Sequence, residues 1–262
     1  MDRTEDKKYT YEDFLEIIAR LRAEDGCPWD REQTHESLKN CMIEEAYETV
    51  EAIDLKDDEN LKEELGDVLL QVVMHGQIAS EQQRFDMTDI IDGVTRKMIR
   101  RHPHIFGDVM ADSSREVLKN WEEIKKQEKN ETSVLEGVQR VPKALPANIR
   151  AQKVLKKAAA GGLGTMDAAG ALDLAQQDFK AMLAAVKSGE QTGLDADFGA
   201  LMLSLINLSR FLNVNAENSL TNAIEKFINR LGSVENLAKS KGLALSELNP
   251  QFLLDWRENV NK

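Results

Sequence analysis

Apolar residues recur along this chain with a helical period almost throughout, and alternation of the strand type is scarce, so the pattern predicts an all-α protein. Residues 10–24 (TYEDFLEIIARLRAE) put Phe14, Ile17, Ile18 and Leu21 on one stripe behind Thr10, a residue suited to capping a helix. The segment DGCPWD then breaks the helix. Further helices are predicted over 36–55, 58–81, 87–102 and 113–129. The last but one stops at His102, because Pro103 lacks the amide that would extend it and disfavours helical dihedrals in the residue before it.

From residue 130 to 148 the period is lost and two of the five prolines occur, which places a linker at 132–148 between domains 1–131 and 149–262. The second half predicts helices over 148–160, 170–188, 195–212, 216–242 and 246–260, in an order like that of the first. Blocks also align: ELGDVLLQVV (64–73) with DFGALMLSLI (197–206), TRKMIRR (95–101) with IEKFINR (224–230), and LKNWEEIK (118–125) with LLDWRENV (253–260). Spacing between blocks agrees within a few residues. The expectation is an internal duplication, two tandem helical bundles.

Composition narrows the class. A length of 262 residues with 42% hydrophobic side chains suffices for a packed core in one domain or two. Cys27 and Cys41 form no disulfide framework and no zinc-finger spacing, the start of the chain is charged, and no apolar run approaches the roughly 20 residues that cross a bilayer. A cytoplasmic protein without membrane contact is expected. The net charge of −12 is uneven: residues 1–131 hold 19 Lys+Arg against 33 Asp+Glu, net −14, and residues 132–262 hold 15 against 13, net +2. So acidic a chain is a poor nucleic-acid binder, because that affinity comes from basic side chains on phosphates. A polyanionic ligand entering the first half needs metal ions.

The acidic excess concentrates in MIEEAYETVEAIDLKDDENLKEELGDVLLQ (42–71). Residues three and four apart share a helix face, so Glu44, Glu45 and Glu48 form one acidic stripe and Glu64 with Asp67 another. The connection between the two helices is short, which favours antiparallel packing with both stripes in one cleft. Like charges at these spacings destabilise a helix by about 0.2–0.5 kcal/mol per pair, and partial burial adds to that. Hard divalent cations relieve the repulsion, since Mg²⁺ or Mn²⁺ takes carboxylate and water oxygens and completes its shell with phosphates. Alternatively the stripes are solvated faces, with Lys62 pairing some of the carboxylates. Leu38, Met42, Ala46, Val50 and Ile53 beside one stripe, and Leu61, Leu65, Val68 and Val72 beside the other, favour carboxylates near a packed seam. No EF-hand loop is present, and GGLG (161–164) is no P-loop because no Gly-Lys-Ser/Thr follows.

EEAYE followed by EELGD matches the EExxE…ExxD signature of the all-α nucleoside triphosphate pyrophosphohydrolases, and GCPWDREQT, RRHPHIFGD and VLKNWEEIK resemble the MazG family in particular. The resemblance runs through residues 10–129 and continues more weakly through VPKALPANIRAQK into the second half. It implies Mg²⁺-dependent hydrolysis of a nucleoside triphosphate to the monophosphate and pyrophosphate. Glu45, Glu48, Glu64 and Asp67 would hold the metal, and Glu44 would complete a second ion's shell or orient the attacking water. Lys97 and Arg101, and more remotely Lys125, would reach phosphates, although a solvated basic turn at the helix C-terminus is the alternative. Trp29 and Trp121 would stack on a base or else belong to the core. His102 and His104 flank a proline and are assigned no catalytic role. The family also implies a homodimer that completes the helical bundle.

The second half departs where it matters, with QQDFK (176–180) in place of EExxE and Asp197-Phe198-Gly199-Ala200 in place of ExxD. Amide and ammonium groups do not replace carboxylates around Mg²⁺, so this half is expected to be inactive. Lys226, Arg230 and Trp256 remain at matching positions. Two competing readings are a non-catalytic nucleotide and metal sensor, and the related phosphoribosyl-ATP pyrophosphohydrolase, which is typically a single shorter domain.

Overall fold

The computed structural model describes residues 8–163, 167–189 and 192–245, all helix and connecting turn with no strand among them. The chain divides into two compact units, one up to Glu128 and the other from Lys129. None of the described helices is long and apolar enough to cross a membrane.

In the first unit, α1 (Tyr11–Arg22) starts at a reciprocal cap: Thr10 Oγ1 accepts the Asp13 amide while Asp13 accepts the Thr10 amide. The chain then folds back sharply, with the Cys27 amide donating to the Leu21 carbonyl at 2.7 Å. Gly26 is obligatory in this turn, because a Cβ there would collide with the carbonyl oxygens of Arg20 and Leu21. DGCPWD therefore does end α1, but Pro28 at once opens a short α2 (Pro28–Glu32), which periodicity over five residues does not reveal.

The long helices α3 (Lys39–Leu55) and α4 (Asp58–Glu81) are joined by Lys56, in the left-handed region at φ 58°, and Asp57, whose side chain accepts the Asn60 amide. With so short a turn α4 packs back along α3. α5 (Met87–Arg101) begins at a cap exchanged between Asp86 and Asp89 and ends before Pro103, as Pro103 dictates. A single turn, α6 (Pro103–Phe106), and α7 (Ser114–Glu128) complete the unit. Ile18, Leu38, Val73, Met74 and Ile78 form its core, with Phe14, Leu15, Leu21 and Leu70 packed around them.

The core lies against the C-terminal half of α4. Of α3 only Ala52 is buried, and Val50 (49%), Ile53 (54%) and Leu65 (52%) remain half exposed. The seam expected beside the acidic stripes is thus open in the single chain, since α3 packs substantially on α4 alone.

In the second unit, α8 (Val134–Gln139) occupies residues read as linker; Ser133 caps it and it packs on α9 (Ala147–Ala160). α10 (Ala168–Ser188) and α11 (Leu194–Phe211) pair through small residues, Ala171 and Ala175 being buried with Leu201 and Ile206. Gln152 on α9 donates to Ser209 Oγ and to the Val214 carbonyl, both at 3.1 Å, which ties α9 to the end of α11. α12 (Ala216–Lys241) follows. The helix predicted over 246–260, with Trp256, lies outside the described residues.

Candidate metal centre

α3 and α4 bring Glu45, Glu48 and Glu64 together, with one carboxylate oxygen of each lying within 4.8 Å of the others. The pairing follows from the short Lys56–Asp57 turn: residues about equally far from it on either side face one another across the two helices. Asp67, one turn beyond Glu64 and half-buried, adds its charge to the same group. Glu44 stands exposed beside Glu45.

Electrostatics shows the strain of this arrangement. Burial raises the Glu45 carboxyl above the ordinary glutamate range, and the neighbouring charges of Asp67, Glu48 and Glu44 raise it further. Burial likewise raises Glu64, reinforced by Glu48, Asp67, Glu45 and Glu63. No basic residue among those described forms an ion pair with Glu45, Glu48 or Glu64; Lys62, the counter-ion that spacing offers, pairs with Glu59 instead. A cluster of hard oxygen donors that lacks a protein counter-charge fits a divalent cation such as Mg²⁺ or Mn²⁺.

A sequence profile of the MazG nucleotide pyrophosphohydrolase domain matches residues 33–106, from the turn before α3 through α6. In Thermotoga maritima, the nucleoside triphosphate pyrophosphohydrolase/pyrophosphatase MazG is 43% identical over 250 residues, covering 95% of each chain. The chain belongs to the MazG family. An Escherichia coli nucleoside triphosphate pyrophosphohydrolase is 37% identical over 95% of this chain and 96% of its own. The YabN protein of Bacillus subtilis is 42% identical over 92% of this chain, but over only 49% of its own length.

The basic candidates of this MazG chain and Trp121 lie elsewhere in the same unit, on α5 and α7. Arg101 donates through its terminal nitrogen to Glu128 at 2.6 Å and through Nε at 3.1 Å, and Arg100 Nε reaches the other Glu128 oxygen at 2.6 Å. Held mainly by the Arg101 hydrogen bonds, and also by Arg100, the Glu128 carboxyl falls to about 2. Trp121 is not a buried anchor: Lys125 Nζ lies 4.5 Å and Arg101 Cζ 5.7 Å from its ring centre, both as cation–π contacts. Lys125 also meets Glu122 at 3.3 Å.

Lys97 sits one turn before Arg101, half-buried and without an ion pair among the described residues. Trp29, 64% exposed on α2, is not a core residue. His102 donates from Nδ1 to the Met98 carbonyl at 2.7 Å, a helix-end contact.

Two features escape a reading by motif. Glu128 shares a helix face with Trp121 and Lys125, and that spacing was the available signal for its hold on Arg100 and Arg101. A second set, His35, His75 and Arg84, has no local signal because the two histidines are 40 residues apart.

Proposed function

We propose that the chain is a magnesium-dependent nucleoside triphosphate pyrophosphohydrolase whose active centre is the Glu45–Glu48–Glu64 group of the first unit. The observation that carries this reading is the convergence of those three carboxylates without a basic partner, in a chain whose relatives of near-equal length are named for that activity. Glu45, Glu48 and Glu64 would hold the cation, with Asp67 as a fourth ligand. A divalent ion supplies charge neutralisation of the triphosphate and a lowered pKa for bound water.

The residues of the chain do the rest. Glu44, exposed next to Glu45, would orient the water attacking the α-phosphorus and accept its proton; the α–β phosphoanhydride bond breaks and pyrophosphate leaves. Lys97 and Arg101 point-charge and bidentate chemistry suits the departing phosphates. Glu128 keeps the Arg101 fork in one orientation until substrate arrives. Lys125 extends the basic group, and the exposed Trp29 offers an indole face to a base.

The apolar faces left open on the α3–α4 pair by Val50, Ile53 and Leu65 support assembly as a homodimer in which a second copy covers them. The aligned blocks of the two halves support tandem domains, the second without activity. Nothing in this acidic surface invites nucleic acid, and the cysteine usage suits the cytoplasm.

The test is incubation of purified protein with the eight common ribo- and deoxyribonucleoside triphosphates plus Mg²⁺, with pyrophosphate as the readout. Release from at least one supports the proposal. Saturable binding without pyrophosphate would overturn it in favour of a sensor.

A further inference from the structure

We infer that His35, His75 and Arg84 form an acid-sensitive latch that fixes the turn leading into α3 against α4. His35 lies in the turn 34–37, which closes on itself: the Thr34 amide donates to Ser37 Oγ at 2.9 Å and the Ser37 amide to Thr34 Oγ1 at 3.1 Å. Leu38, next in sequence, is 3% exposed and part of the core. The His35 ring lies edge to edge with that of His75 of α4, centres 5.1 Å apart and planes 12° from parallel, and the two Nδ1 atoms face each other at 2.8 Å. Arg84, in the turn after α4, has a terminal nitrogen 3.3 Å from His35 Nε2.

These contacts fix the protons. A guanidinium only donates, so His35 Nε2 accepts from Arg84. The His35 proton is then on Nδ1 and is donated to His75 Nδ1, which leaves the His75 proton on Nε2. The relay Arg84 to His35 to His75 exists only while both imidazoles are neutral. Protonating His35 removes the acceptor for Arg84 and sets a second cation beside it, and protonating His75 removes the acceptor for His35.

Surrounding groups offer no compensation. From α1, Arg22 is taken up by Glu81 at 2.8 Å, and from the start of α5, Asp86 and Asp89 cap one another's amides. No carboxylate among the described residues is hydrogen-bonded to either ring. The pKa of His75 is lowered by burial and then by His35, with no carboxylate among the causes.

A histidine whose folded pKa lies below its free value of about 6.5 contributes stability fully above that pH, and the contribution is lost as pH falls below it. Since α3 carries Glu45 and Glu48, release of its entry turn also loosens the metal group. That last consequence rests on the proposed metal site, whereas the latch itself does not.

The chain has four histidines, so their ring signals are separable by NMR in the full-length protein. Expected are a neutral His35 protonated at Nδ1, a neutral His75 protonated at Nε2, and titration of His75 below the range of a free imidazole. Alongside, the melting temperatures of the wild type and of the His35→Phe/His75→Phe variant, which has no ring nitrogen to titrate at either position, are compared from pH 7.5 to 5.5. The wild type should lose about 4 °C more than the variant over that range. If both histidines titrate independently at ordinary values, or the two proteins show the same pH profile, the latch does not exist. If the latch signals appear but magnesium affinity falls equally with pH in both proteins, the link to the metal group fails while the latch stands. Should the double variant not fold, the ring tautomers and pKa values of the wild type decide alone.

Discussion

The pair α3–α4 and the pair α10–α11 are both helical hairpins, and they differ in the residues at corresponding positions. Each is two long helices joined by a short connection. Alanines are buried in each, Ala52 in the first and Ala171 and Ala175 in the second. Where the first pair has Glu44, Glu45 and Glu48, the aligned stretch of the second has Gln176, Gln177 and Lys180, and Glu64 and Asp67 become Asp197 and Ala200. Asp197 falls in the first turn of α11, where the helix dipole favours an acid for structural reasons alone. The fold of the hairpin therefore does not require the carboxylates. In the first pair like charges crowd together, and burial with that crowding raises the carboxyls of Glu45 and Glu64, an arrangement that a bound cation would relieve.

The largest effect is expected from making the first pair resemble the second at one position. Glu48→Gln is expected to lower pyrophosphate release on the order of 10³-fold, because losing one carboxylate forfeits several kcal/mol of metal-centred stabilisation. The metal-free variant should be no less stable than wild type, and more stable by about 0.5 kcal/mol where like-charge repulsion is relieved. Loss of activity together with a lower melting temperature would mean that Glu48 is structural.

Magnesium at about 100 times its Kd should stabilise the metal-free protein by about 2.7 kcal/mol, and Glu48→Gln should abolish that shift. Acidity acts oppositely on the two forms. In the folded chain Glu45 and Glu64 hold protons at pH values where the unfolded chain has released them. Hence this cluster gains stability as pH falls toward the ordinary glutamate range, and loses it as pH rises through the raised values. Magnesium competes with the same protons, so its affinity must fall over that window. Denaturant midpoints with EDTA and with magnesium, from pH 7 to 5, should converge.

A smaller effect is expected on α5. Arg101→Gln should raise KM about tenfold, equivalent to about 1.4 kcal/mol, with a lesser change in kcat, if the guanidinium contacts phosphate. Its partner gives a stability readout: Glu128, lowered to about 2, contributes stability above pH 4.5 that is lost as pH falls toward 2. Arg101→Gln should shrink that acid-side loss. An unchanged KM would confine Arg101 to its ion pair with Glu128.

Much of the architecture was legible in the sequence. The range 58–81 matches α4 to the residue, and the other long described helices begin or end within a few residues of expectation, because their apolar period is long and their caps (Thr10, Asp57, Asp86) are chemically explicit. Short helices were not legible: α2, α6 and α8 are too brief to show a period, and α8 stands where prolines suggested only linker. Among site residues, spacing brought Glu45 to Glu48 and a short turn brought both to Glu64. What lay hidden depends on tertiary proximity, as with His35 against His75, or on which of several acids a base selects, as when Lys62 takes Glu59.

The least disturbance is expected from the reverse change, in the second pair. Gln177→Glu supplies one carboxylate where the first pair has Glu45, but the ammonium of Lys180 remains a turn away and Ala200 offers no oxygen opposite. A hydrated Mg²⁺ gives up its waters reluctantly and needs several anionic oxygens at once. One added acid, even with Asp197 on α11, should bind it too weakly to detect. Magnesium should therefore shift the melting temperature of Gln177→Glu no more than that of wild type, and in a Glu48→Gln background it should restore no pyrophosphate release. A magnesium-dependent shift from this single change would mean that the α10–α11 pair already holds most of a metal site, and the contrast between the two hairpins would lie in fine tuning rather than in the presence or absence of ligands.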